Sequence, residues 1–220
     1  MTTLVLATRN AHKVAELHEI LAAAGVDVDL VPLPGDAPEV VEDGTTFVDN
    51  ALKKARSAAE ATGLPAVADD SGLCVDALNG MPGVLSARWA GSHGDDEANL
   101  RLVLDQLSAV PDELRGAAFV CAAALALPTG EEHVVEGRLV GSLVREPRGS
   151  AGFGYDPVFV PEGDSRTTAE MSAADKNAVS HRGNAFRGLA PAIRDMVLRG
   201  VSPLGAGGGT RTPTPEGTGT

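Results

Sequence analysis

The chain has 220 residues, 43% of them hydrophobic and only 3% aromatic, so a sizeable core is available and must be built from Val, Leu and Ala. A formal net charge of −12 argues against sequence-independent binding to DNA or RNA, which takes clustered Lys and Arg. No apolar run approaches the roughly 18 residues that span a membrane, and the N-terminus lacks the charged and apolar regions of a secretion signal, so a soluble, cytoplasmic protein is expected. Cys74 and Cys121 both lie in apolar runs without zinc-site spacing and read as buried, reduced thiols.

Leu4 to Ala7 predict a first short strand. A helix follows from about Ala11 to Ala24, with Val14, Leu17, Leu21 and Ala24 on one stripe and Gly25 as its stop. Val26 to Val31 alternate and fit a second strand, and Pro32 to Pro38 form a loop. Thr46 with Asp49 makes a capping-box match for a helix that Gly63-Leu64-Pro65 ends. Ala66 to Ala68 predict a short buried strand, and Asp69-Asp70 fall at its carboxyl end, where open α/β sheets place ligands, with Gly72 free to turn.

Asp95 or Asp96 caps a helix predicted to reach Leu107. Ala117 to Leu127 and His133 to Val140 read as a hairpin across Pro128-Thr129-Gly130. Gly149 to Asp156 is a glycine-rich loop followed by a short strand at Pro157 to Val160. Ser172 and Asp175 are a second capping-box match, and a last helix spans about Asn184 to Arg199. The segment 202–220 is Gly, Thr and Pro with almost nothing apolar and is expected to be disordered. The sum is one α/β domain over 1–201 with a mixed sheet.

Five segments carry the polar chemistry. Thr8-Arg9-Asn10-Ala11-His12-Lys13 is a strand-to-helix loop, whose free N–H groups suit a phosphate; Lys13 in the first turn opposes the helix dipole unless an anion sits there. Asn50 and Lys54 share one helix face, and Glu42-Asp43 can place another carboxylate nearby. Asp69-Asp70-Ser71 suits a divalent cation such as Mg²⁺, which takes a few carboxylates plus waters and substrate phosphates. Gly152-Phe153-Gly154-Tyr155-Asp156-Pro157 can wrap a flat ligand, with Phe153 as a stacking face. Lys176 and Ser180-His181-Arg182-Gly183 add cations able to pair with phosphate or read a base edge. Metal, cations, donors and a ring together match the needs of a nucleoside triphosphate.

In this order the segments at 6–13, 46–51, 68–73, 152–157 and 180–183, with Pro82 to Arg88 between them, resemble the non-canonical purine nucleoside triphosphate pyrophosphatases, the HAM1 family. The likeness covers about residues 4 to 199. It implies an elongated mixed β-sheet with flanking helices, two lobes around a central substrate cleft, and a homodimer; the net charge and the lack of a long apolar run predict no nucleic-acid or membrane partner. It implies Mg²⁺-dependent hydrolysis of ITP, dITP and XTP to the monophosphate and pyrophosphate, which clears deaminated purines from the nucleotide pool.

Carried over to this sequence, the family's roles make Thr8, Arg9, Asn10, Ala11, His12 and Lys13 the triphosphate grip. Asp70 becomes general base and metal ligand, and Glu42 the second metal carboxylate. Lys54, rather than Lys53, becomes the cleft lysine that joins Lys13 in catalysis. Ser71 touches substrate, and Phe153, Gly154, Tyr155, Asp156, Lys176, His181 and Arg182 hold base and sugar.

Overall fold

The computed structural model describes residues 2–8 and 11–199, without the side chains of residues 11–13, 15 and 16. The expectations for Arg9, Asn10, the segment 202–220, and the side chains of Ala11, His12 and Lys13 therefore lie outside the described residues.

A six-stranded mixed sheet runs through the molecule in the order β2-β1-β3-β4-β5-β6. β1 (Thr3–Leu6) pairs in parallel with β2 (Asp29–Pro32) and β3 (Ala66–Val75). The longer strands β4 (Gly116–Ala126) and β5 (Glu132–Leu143) and the short β6 (Phe159–Pro161) continue it antiparallel. Residues 116–143 thus form the hairpin that the two strand-like runs and the Pro128-Thr129-Gly130 turn predict.

Helices cover both faces. α1 (Ala11–Ala23) and α5 (His181–Arg199) pack on one through Leu17, Leu21, Phe186, Leu189 and Ile193 against Leu4, Leu6, Val67 and Leu125. α2 (Phe47–Thr62) packs on the other, setting Ala51, Ala55 and Ala58 against Ala122, Ala124 and Ala126. With so few aromatics, small side chains let helix and sheet approach closely. A third cluster, on the α5 side of the sheet, joins α3 (Asp96–Gln106) through Val103 to Leu73, Val75, Phe119 and Phe159.

The caps follow the sequence pattern. Thr46 accepts from the Asp49 amide, Asp95 from Ala98, and Ser172 from Asp175 ahead of α4 (Ala173–Val179). Gly63 ends α2 in the left-handed region at φ 65°, where a side chain would be strained. No helix among the described residues is long and apolar enough to cross a membrane.

Several expectations need correction: the second strand begins at Asp29 rather than Val26, a helical turn at Asp156–Val158 shifts the short strand from Pro157 to Val160 to Phe159–Pro161, and Cys74 is half-buried. The strand starting at Ala66 does not end at Ala68: β3 runs through Asp69, Asp70, Ser71 and Gly72 to Val75, in continuous register with β4. The pair is therefore mid-strand rather than in a loop at a strand end. Gly72 makes no turn; it allows a close approach, since a Cβ there would lie 2.4 Å from Ser86 Oγ. The last helix begins at His181, three residues earlier than its apolar pattern, because Ser180 Oγ caps it by accepting from the Gly183 amide at 2.9 Å.

Candidate active site

Strand alternation divides the two aspartates. Ala66, Ala68 and Asp70 face α2, whereas Val67, Asp69 and Ser71 face α5. Each carboxylate therefore meets a different helix and a different cation.

On the α2 face, Asp70 Oδ1 lies 3.2 Å from Lys54 Nζ, and its Oδ2 accepts from Asn50 Nδ2 at 3.1 Å. Asn50 and Lys54 are one turn apart on α2, so both reach the same carboxylate. Asn50 is fully buried, and its own carbonyl accepts from the Gly44 amide at 2.8 Å. That bond ties the Glu42-Asp43-Gly44 loop to the residue that holds Asp70. Glu42 Oε1 lies 3.0 Å from Lys54 Nζ, so one ammonium sits between two carboxylates. Lys53 points elsewhere and pairs with the exposed Asp43. Geometry therefore separates both ambiguous neighbours: Lys54 and Glu42 join Asp70, and Lys53 and Asp43 do not. Thr8 joins Glu42, Lys54 and Ser57 around a cleft of about 240 Å³ beside this cluster.

The charges in this cluster are tuned by burial and by each other. Burial pushes the Asp70 carboxyl above the usual aspartate range; Lys54 and Asn50 pull it down, but Glu42 pushes it up again. Burial works against the Lys54 charge, yet Asp70, Glu42 and Asp69 outweigh it and hold its pKa above an ordinary lysine's. Both shifts point upward: burial leads at Asp70, and the surrounding carboxylates together outweigh burial at Lys54.

On the α5 face, Asp69 Oδ2 accepts from Arg182 Nε at 3.1 Å and Nη2 at 3.0 Å, and Arg182 Nη2 lies 3.4 Å from Ser71 Oγ. Both side chains are largely buried. Beside them opens a cavity of about 380 Å³ between β3, the glycine-rich loop and the α4–α5 junction. Ser71, Phe153, Gly154, Tyr155, Asp156, Lys176, His181 and Arg182 all line it, so the fold brings together every expected base- and sugar-side residue.

Their environments differ. Asp156 is buried, pairs with Lys176, accepts from the Phe153 amide at 2.8 Å and from Thr168 Oγ1 at 2.8 Å, and so organises the loop. A Cβ at Gly152 would strike that carboxylate, at 2.0 Å from Oδ2. Phe153 is 67% exposed, with Lys176 Nζ 5.2 Å from its ring centroid. Tyr155 turns inward: it is buried, and its hydroxyl donates to the Ser86 carbonyl at 2.9 Å. His181 stacks on Phe119 with centroids 5.1 Å apart. Burial, with Arg182 beside it, pushes the His181 imidazole down to about 3, so it is neutral at physiological pH.

With this geometry in view, comparison with other proteins decides the family. The model of the Ham1 family matches residues 4–192. The chain belongs to the Ham1 family. The dITP/XTP pyrophosphatase of Streptomyces coelicolor is 61% identical over 199 residues, which span 90% of this chain and all of that protein. The solved structure of a nucleoside-triphosphatase / dITP/XTP pyrophosphatase from Mycobacterium abscessus is 57% identical, with a TM-score of 0.73 over 87% of this chain and 98% of that one. A HAM1 protein from Coxiella burnetii superimposes with a TM-score of 0.82 at 42% identity, covering 89% of this chain and all of the other.

Within this Ham1 chain, sequence reading gave Ser86 no role and named Asn50 and Asp69 without their partners. Asn50 stood out only as sharing a face with Lys54; that an uncharged polar residue flanks the alanine stripe of α2 is the signal that it is buried and bonded. Asp69 looked like a companion of Asp70, because a strand running through the pair was not foreseen. Ser86 supports the cavity by receiving the Leu73 amide on its hydroxyl at 2.9 Å and the Tyr155 hydroxyl on its carbonyl at 2.9 Å.

Proposed function

We propose that this chain hydrolyses dITP, ITP and XTP at the α-phosphorus, releasing pyrophosphate and the nucleoside monophosphate. The observation that carries the reading is the division of β3. One strand presents Asp70 to a carboxylate–lysine cluster on one face and Ser71 and Asp69-held Arg182 to a base-sized cavity on the other. The close relatives named for this activity support the same substrate class.

Glu42 and Asp70 fit a magnesium site. The two carboxylates lie close enough to share one cation, since both reach the Lys54 ammonium, at 3.0 and 3.2 Å. Two hard carboxylates match the way Mg²⁺ binds with substrate phosphates completing its shell. Among the described residues no group of three or more His, Cys, Asp or Glu forms an all-protein cage. When bound, Mg²⁺ supplies charge neutralisation on the phosphate oxygens.

Asp70 takes the proton from the attacking water. Its raised pKa and fixed orientation between Asn50 and Lys54 suit a general base, worth roughly 10²–10⁴-fold. Lys54 and, on the family resemblance, Lys13 stabilise charge on the departing pyrophosphate, while the segment Thr8 to Lys13 grips it. In the cavity Phe153 stacks on the base. Arg182 can only donate, and so suits the 6-oxygen of hypoxanthine or xanthine and opposes the 6-amino group of adenine. A mismatched buried donor costs about 1–3 kcal/mol. On the same resemblance the enzyme acts as a cytoplasmic homodimer.

Pyrophosphate release across a panel of nucleoside triphosphates, with and without Mg²⁺, tests the reading. Expected are monophosphate and pyrophosphate from dITP and XTP, little from dATP, and Arg182→Ala eroding the dITP/dATP ratio. Orthophosphate as product, or an unchanged ratio in Arg182→Ala, overturns it.

A further inference from the structure

Gly137 lies in β5 opposite Cys121 of β4. Two places before it, Val135 packs into the α5 cluster; two places after it, Leu139 packs into the α3 cluster. It therefore sits on the α5 face of the sheet, at the boundary between two cores. A Cβ there would stand 2.2 Å from the His181 carbonyl oxygen and 2.3 Å from the Ala185 amide nitrogen. Its φ lies outside the left-handed region, so the backbone shape alone would tolerate any residue. The contact alone demands glycine.

Both clashing atoms belong to the backbone of α5's first turns, so no side-chain rotation relieves the overlap. The helix start must lift from the sheet by about 1 Å, a misplacement that can cost on the order of 10²-fold at a reacting or recognition group. The groups carried by that turn are His181, stacked on Phe119, and Arg182, anchored to Asp69. We propose that Gly137 is a specificity-determining positioning residue: its bare backbone seats the start of α5 against β5, and that seat sets where His181 and Arg182 stand in the cavity. The inference rests on reading that cavity as the base site. The Asp70–Lys54–Glu42 cluster lies across the sheet on α2 and does not depend on the seat.

The test compares Gly137→Ala with Gly188→Ala. At Gly188 a Cβ would meet the Val135 Cγ1 methyl at 2.7 Å, a side-chain end that can rotate away, in the same α5–β5 contact but farther along the helix. Gly137→Ala is expected to lower the dITP/dATP ratio of kcat/KM at least 10-fold and to raise KM for dITP. It should leave inhibition by pyrophosphate, which probes the phosphate side, within 2-fold of the parent. Gly188→Ala should leave the ratio unchanged.

A folded Gly137→Ala with the parent ratio, or an equal loss in Gly188→Ala, overturns the proposal. If Gly137→Ala does not fold, Ser180→Ala loosens the same turn without adding an atom, by removing the oxygen that caps Gly183. An unchanged ratio there overturns the proposal as well. Arg182→Ala separates the two levels: no change in that variant refutes base reading itself, whereas a loss in Arg182→Ala without one in Gly137→Ala refutes only the seat.

Discussion

Asp69 and Asp70 are neighbours in the chain, yet they answer to opposite sides of the sheet: Asp70 meets Lys54 of α2 at 3.2 Å and Asp69 meets Arg182 of α5 at 3.0 Å. The period-two geometry of a strand does this. It removes the electrostatic puzzle of adjacent carboxylates, since each has its own cation. On the proposed function, it also separates two tasks: taking a proton from the attacking water and reading the base.

Asp70→Asn should abolish most turnover and spare binding. The amide keeps the shape and can stay beside Lys54, and burial already favours an uncharged group there. A fall in kcat of roughly 10²–10⁴-fold is expected, the worth of a placed base, with dITP binding by calorimetry within a few-fold of the parent. Near-normal pyrophosphate release would remove Asp70 from the reaction.

Asp69→Asn should behave differently. It leaves the Arg182 guanidinium buried without its carboxylate, and breaking a buried pair by removing one partner costs about 3–5 kcal/mol at the upper end. The melting temperature should drop, and the dITP/dATP ratio should fall as Arg182 loses its anchor. The Mg²⁺ concentration giving half-maximal rate should hold, because that cluster is on the other face. A shift in the Mg²⁺ dependence equal to that in Asp70→Asn would show the two carboxylates acting together after all.

Lys53 and Lys54 offer an internal control. Lys53 pairs with Asp43 in solvent, an arrangement that contributes little. Lys53→Ala should leave stability and rate nearly unchanged. Lys54→Ala leaves Asp70 and Glu42 without their shared ammonium, which pushes the Asp70 carboxyl still higher. Its acid limb of kcat/KM against pH should move toward neutrality, and turnover at pH 7 should fall sharply. Equal effects in the two variants would contradict the geometry.

Much of this was legible in the chain because local chemistry and tertiary structure agree. Thr46, Asp95 and Ser172 cap the helices they were expected to cap, and the 116–143 hairpin follows its two apolar runs and the turn between them. What failed is instructive. Two charged residues and a glycine look like a strand's end, yet β3 continues because each carboxylate finds a buried partner far away in sequence, Lys54 at 16 residues and Arg182 at 113. Likewise the start of α5 is polar, so hydrophobic periodicity finds it three residues late; the Ser180 cap and the approach to Gly137 define it instead. Contacts between distant segments leave no local periodic trace.

His181 gives the clearest pH signature. Burial, aided by the neighbouring cations Arg182 and Lys176 and opposed by Asp69, lowers its pKa from 6.5 to about 3. Between those values the unfolded chain binds a proton that the folded one does not. Stability from this group is therefore complete above pH 6.5 and is lost as pH falls toward 3. Each unit of depression is worth about 1.4 kcal/mol. His181→Phe keeps the stack on Phe119 and cannot titrate. Urea unfolding of both proteins at steps from pH 7.5 to 4.5 should show the parent losing stability faster than the variant below pH 6.5, with parallel behaviour above it. Matching slopes throughout would mean that the imidazole protonates within the fold, and that neither its burial nor Arg182 prevents it.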